Sequence, residues 1–157
     1  MKIQKYIKPL LFAIICLTVG FLSSWFTGEG VAATYLSLTR PIFAPPGWLF
    51  GPVWAILYAM MGVSFYLIWE KRNEFKINTA STLFFVQLFL NFFWSIIFFR
   101  WHNLSLAFYE ILILLIILFF NFYYFKKISK TAAYLLIPYI LWVFFATILT
   151  FSILNLN

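Results

Sequence analysis

Gln87, Asn91 and Trp94 stand four and then three residues apart in an otherwise apolar stretch. At about 100° per residue in a helix they share one narrow face. Other stretches carry comparable stripes: Trp54, Tyr58 and Met61 in one, Tyr139, Trp142, Ala146 and Thr150 in another, and the lone acid Glu110 in a third. Amides donate and accept hydrogen bonds, while indoles offer an N–H and a broad flat face. Such groups suit a ligand whose carbonyl or carboxylate partners an indole N–H. They also suit a plainer role, with amides as hydrogen-bond glue between helices and aromatics as packing. Conventional enzymology is poorly served: there is no Ser-His-acid set, no carboxylate pair and no phosphate loop. No His or Cys pair has metal-ligand spacing, so no metal site is expected. His102 reads as solvated or packed, and Cys16, the only cysteine, as an apolar filler.

The elements that position these residues follow from composition. Of 157 residues, 65% are hydrophobic and only 10% charged, against about a quarter charged in soluble domains. That leaves too little polar surface for a globule in water, and an integral membrane protein follows. Charges are absent between Lys8 and Glu29, Arg40 and Glu70, Lys76 and Arg100, and from Thr131 onward. The stretch from Asn103 to Phe125 holds only Glu110. Each gap matches the roughly 20 residues that a helix needs to cross the hydrocarbon core. The expectation is a single all-α membrane domain over 1–157, with five spans at about 6–26, 45–69, 77–99, 103–125 and 132–153.

Five crossings put Lys2, Lys5, Lys8, Lys71, Arg72, Lys76, Lys126, Lys127 and Lys130 on one side, and only Arg40 and Arg100 on the other. By the positive-inside rule the N-terminus is cytoplasmic and the C-terminus outside. The net charge of +7 then needs membrane lipid headgroups rather than nucleic acid as its partner. A cleaved signal peptide is the competing reading of the first segment, but its apolar stretch is too long and its removal would spoil the charge asymmetry.

The entrance to the second span, RPIFAPPGWLFGPVWAILY from Arg40 to Tyr58, crowds prolines and glycines between large rings. Pro45-Pro46 can open a helix at no cost. Pro52 lies deeper and predicts a kink or an irregular first turn near Gly51. Irregular backbone at membrane depth survives where protein covers it or a cavity needs it. The expectation at this point is a bent entrance that is either covered by protein or borders a cavity.

In order along the chain stand Gly28-Glu29-Gly30, Tyr35-Leu36-Ser37-Leu38, Pro41, Pro45-Pro46-Gly47-Trp48, Pro52-Val53-Trp54 and Tyr58. Then come Gln87-Leu88, Asn91, Trp94, Phe98-Phe99, Glu110, Pro138-Tyr139, Trp142 and Phe145-Ala146-Thr147. This ordered set resembles the tryptophan-rich sensory protein and translocator protein family, also called the peripheral benzodiazepine receptors, over nearly the whole chain. The resemblance implies five helices around a ligand pocket beneath the loop between the first two; on that expectation the bent entrance, with Trp48, Phe50 and Trp54, forms the pocket's upper wall, and Arg40 with the connection Gly28–Ala44 its lid. It implies binding of protoporphyrin IX and of benzodiazepine-type or isoquinoline carboxamide ligands, with homodimers and no tightly bound cofactor. The pocket residues carried over are Tyr35, Phe50, Trp54, Gln87, Asn91, Trp94, Glu110, Trp142 and Ala146. Bacterial relatives are associated with light- and oxygen-dependent breakdown of porphyrin, for which Trp54 and Trp142 are the oxidisable candidates.

Departures narrow the expectation. Thr34 stands where many relatives have Trp, Leu106 where animal members have Trp, and Thr150 where they commonly have Asn. The Tyr and basic residue of the C-terminal cholesterol motif are missing after Ala146-Thr147. A bacterial-type member in a bacterial cell membrane is therefore the expectation, with translocation of porphyrins or sterols, or a receptor without turnover, as the alternatives. Ion-coupled transport ordinarily uses several buried ionisable groups, and this chain offers Glu110 with Glu29 near the loop.

Overall fold

The computed structural model describes residues 4–28 and 30–157, so Lys2 and Glu29 lie outside the described residues. Among the described residues it is all helix, without strands. The elements are α1 (Gln4–Thr27), α2 (Gly30–Ser37), α3 (Phe50–Glu70), α4 (Asn78–Ser95), α5 (Leu104–Ile128), α6 (Lys130–Leu135) and α7 (Ile137–Leu156). Five stretches are long and apolar enough to cross a membrane: Ile7–Thr27, Gly47–Glu70, Asn78–Arg100, Leu104–Ile128 and Lys130–Leu156. The spans pack in a ring in the order first, second, fifth, fourth, third and back to the first. The second, third and fourth spans are joined by aromatic stacking, Phe65 on Phe84 at 4.3 Å and Phe84 on Phe125 at 6.1 Å.

Three local features depart from a simple reading of the chain. The connection Gly28–Ala44 contains a helix, α2. Gly28 ends α1 with φ of 79°, the left-handed backbone that glycine adopts without a Cβ penalty, and α2 restarts at once. The irregular entrance of the second span is a 3₁₀ turn, Gly47–Leu49, and Pro52 falls in the first turn of α3 behind it. The fifth span is broken at Leu136, because Pro138 at the start of α7 has no N–H to continue the α6 ladder.

The third span ends in a π turn, Ile96–Arg100, where Trp101 N–H bonds the Ile96 carbonyl at 2.9 Å. Wide turns of this kind release carbonyls and gather at functional sites. Here Ile96 N–H bonds the Phe93 carbonyl, and the Phe92 carbonyl accepts from Ser23 Oγ at 2.8 Å instead. Further along, Arg100 donates to the Phe26 carbonyl at 2.7 Å, and Thr34 Oγ1 lies 3.0 Å from His102 Nε2. The π turn thereby ties the end of α1 and the middle of α2 to the third span.

Glycines set how closely α1 and α3 approach. A Cβ on Gly62 would lie 2.4 Å from the Phe12 carbonyl oxygen and 2.5 Å from Ala13 Cα, and one on Gly20 would lie 2.4 Å from the Tyr58 ring. A Cβ on Gly51 would meet nothing within 4 Å. The helices are therefore in backbone contact at one end and splayed at the other, under α2.

Candidate functional site: a cavity beneath the first connection

The splay encloses a cavity of about 510 Å³, within the range of small-molecule sites. From α1 it is lined by Leu17, Gly20, Phe21, Ser23, Ser24 and Thr27; Val31 and Gly47 close its top. Phe50, Gly51, Trp54, Ala55 and Tyr58 come from α3, and Asn91, Trp94, Ser95 and Phe99 from the third span. Among these described lining residues none is charged.

A chain of buried hydrogen bonds runs from the cavity wall into the bundle. Tyr58 OH donates to Asn91 Oδ1 at 2.5 Å, and Asn91 Nδ2 donates to Tyr139 OH at 2.6 Å. Tyr139 OH donates in turn to Gln87 Oε1 at 2.9 Å, and Gln87 Nε2 reaches Met61 Sδ at 3.8 Å. The order is dictated by inventory: a phenol has one proton to give, so each Tyr donates once and the amides complete the chain. Polar groups in the apolar interior persist when paired in this way. Trp54 lies against both phenols, its ring 5.7 Å from Tyr58 and 6.1 Å from Tyr139.

The sequence-derived site residues separate into groups. Phe50, Trp54, Asn91 and Trp94 line the cavity. Tyr35 and Ala146, again with Phe50 and Trp94, line a neighbouring void of about 20 Å³. Gln87 is fully buried inside the hydrogen-bond chain. Trp142 touches neither space; its ring sits edge-on to Phe50 at 6.0 Å, with Phe50 between it and the cavity. Glu110 is buried in the fourth span, both carboxyl oxygens without a hydrogen-bond partner among the described residues. Trp48, expected in the upper wall, is 73% exposed and lines neither space. Its place is taken by Gly47, because the 3₁₀ turn rotates the indole outward.

Tyr35 anchors the cover instead of facing the cavity. Its hydroxyl donates to the Pro45 carbonyl at 2.7 Å, its ring meets Phe50 edge-on at 5.1 Å, and the Arg40 guanidinium lies 4.8 Å above it. Burial raises the Tyr35 phenol above its ordinary pKa, and Arg40 beside it pulls in the opposite direction.

Sequence reasoning missed the whole α1 wall. Gly20, Ser23, Ser24 and Thr27 recur at i, i+3, i+4 and i+7, a stripe of small residues on one helical face that could have been found.

The TspO/MBR family pattern matches residues 12–156. The chain belongs to the TspO/MBR family. Among its TspO/MBR relatives, the tryptophan-rich protein TspO of Archaeoglobus fulgidus is 38% identical over all of this chain and 99% of its own length. The tryptophan-rich protein TspO of Chlorobaculum tepidum is 40% identical over 98% of this chain and 99% of its own. The human translocator protein is 35% identical over 80% of this chain and 75% of its own. TspO/MBR membership together with five membrane-length apolar helices makes this an integral membrane protein.

Proposed function

We propose that the cavity binds a flat, largely apolar ring compound of the porphyrin class, protoporphyrin IX being the first to test, and that benzodiazepine-type and isoquinoline carboxamide ligands occupy the same space. The observation that carries this reading is the convergence of Phe50, Trp54, Asn91 and Trp94 on one cavity of about 510 Å³ with no charged side chain among its described lining. Indole and phenyl faces would hold the ring, and Asn91 would offer an amide to its polar edge. The carboxylates of such a ligand would stay at the polar rim, since none of the described lining residues carries a charge to pair with them.

Where light and oxygen destroy bound porphyrin, the excited ring and oxygen supply the chemistry, and this chain contributes position and an oxidisable neighbour. Trp54 suits that role better than Trp142, which Phe50 separates from the cavity. Titration of purified protein with protoporphyrin IX, followed by tryptophan quenching, checks both parts. Saturable binding is expected, weakened about tenfold in Trp54→Phe, which corresponds to roughly 1.4 kcal/mol. Light-driven porphyrin loss is expected to fall further in Trp54→Phe than in Trp142→Phe. Absence of saturable binding would overturn the reading.

The relatives named translocator protein give a second reading, carriage of the same compounds. Uphill accumulation in sealed vesicles would favour it, and binding without flux or turnover would leave a receptor. The basic end of the bundle suits a cytoplasmic face in a bacterial cell membrane, and a homodimer is the assembly proposed.

A further inference from the structure

The cavity is fastened on its covered side and open on another. Over the top, Tyr35 OH holds the Pro45 carbonyl and Thr34 meets His102. Asn157 pins Thr39 twice, accepting from Thr39 N–H at 3.0 Å and donating to its carbonyl at 3.0 Å. At the side the lining residues Phe21 and Ser24 of α1, and Gly51 and Ala55 of α3, are all exposed. The helix register set by Gly62 against Ala13 and Gly20 against Tyr58 carries Ala55 to the level of Phe21 and Gly51 to that of Ser24. Nothing within 4 Å faces a Cβ on Gly51, so the gap there is not packed shut. Phe21 lies six residues inside the end of α1, about 9 Å below it at 1.5 Å per residue. That depth belongs to acyl chains rather than water.

We propose that this gap is a portal through which ligands enter the cavity sideways from the bilayer, with Phe21 as its gate and Gly51 and Ala55 as its sill. It admits compounds that dissolve in the acyl region: uncharged, or with charge confined to one edge that stays at the interface. The uncharged lining and the fastened cover both fit that class, because a water-borne ion would have to break the cover and then lose its hydration without compensation. The proposal rests on the reading of the cavity as a binding site, and its test does not require that porphyrin be the ligand.

Ser95 lines the cavity from the third span and Cys16 is the only native thiol. Ser95→Cys in a Cys16→Ala background, reconstituted in vesicles, reports access by its labelling rate. An uncharged alkyl thiosulfonate dissolved in the bilayer is expected to label it, and a charged trimethylammonium thiosulfonate in the buffer is not. Gly51→Leu, built into open space, should slow labelling about tenfold. Phe21→Ala should speed it, and Asn157→Ala, which loosens the cover, should leave it unchanged. Faster labelling by the charged reagent, or control of the rate by Asn157 rather than by Gly51 and Phe21, would overturn the portal in favour of entry beneath the cover. Portal-dependent labelling in a protein that fails to bind protoporphyrin IX would leave the portal standing and remove the porphyrin reading. Saturable porphyrin binding with labelling indifferent to Gly51→Leu and Phe21→Ala would do the reverse.

Discussion

Gly62→Val should be the most destabilising single substitution between the first two spans. A side chain there would start 2.4 Å from the Phe12 carbonyl and 2.5 Å from Ala13 Cα. Both obstacles are backbone, so α1 and α3 must separate along their whole contact. Overpacking in a close-packed interior costs about 1–3 kcal/mol when side chains can give way, and more when they cannot. A loss of about 3 kcal/mol or more is therefore expected, read as a fall in unfolding midpoint in detergent. The other glycines grade the effect. Gly20→Ala first meets the Tyr58 ring, which can turn at the expense of its bond to Asn91, so its loss should be smaller and should also disturb the cavity wall. Gly51→Ala meets nothing and should be neutral or stabilising by up to about 1 kcal/mol through helix propensity. Equal losses at all three positions would refute the splayed geometry on which the cavity depends.

That geometry explains which parts of the molecule could be read from the chain. The spans were legible because charge-free runs of membrane length have few alternatives. The face of Gln87, Asn91 and Trp94 was legible because amides in an apolar helix must turn inward. Its division of labour was not: Asn91 reaches the cavity while Gln87, one turn away, is sealed behind Tyr139. That difference depends on where a neighbouring helix carries a phenol, which helical spacing within one span does not encode. The α1 wall was overlooked because small residues in membrane helices ordinarily mark close packing. They do so at Gly20, which meets the Tyr58 ring, and at Ser23, which bonds the third span, yet the same stripe with Ser24 and Thr27 also lines the cavity. The π turn carries no distinctive residue of its own. What holds it are contacts made across the bundle: Ser23 takes up the Phe92 carbonyl just before the turn, and Arg100 fastens the segment to α1. The helix α2 is not legible in the chain, since its span of eight residues is too short for an apolar period to declare itself.

Tyr139→Phe should uncouple the second, third and fifth spans with the loss of one oxygen atom. Tyr139 is fully buried, and its hydroxyl is the middle of the chain, accepting from Asn91 and donating to Gln87. Without it the Asn91 N–H and the Gln87 carbonyl each lose that partner in an apolar interior. A stranded buried group costs about 1–3 kcal/mol, so a loss of roughly 2–4 kcal/mol is expected. Interhelical hydrogen bonds in membranes average only about 0.6 kcal/mol, because the separated helices also find partners. A measured loss near that lower figure would mean that Asn91 and Gln87 re-pair with each other and that the phenol is dispensable. Tyr58→Phe supplies the comparison. It removes the terminal link, and the Asn91 Oδ1 it frees lies on the cavity wall, where water or ligand can reach it, so its cost should be smaller. Because both tyrosines act through Asn91, the double variant should lose less than the two single losses combined. Ligand affinity should fall further in Tyr139→Phe than in Tyr58→Phe, since Tyr139 holds the Asn91 amide from inside the bundle whereas Tyr58 occupies its Oδ1 from the cavity wall.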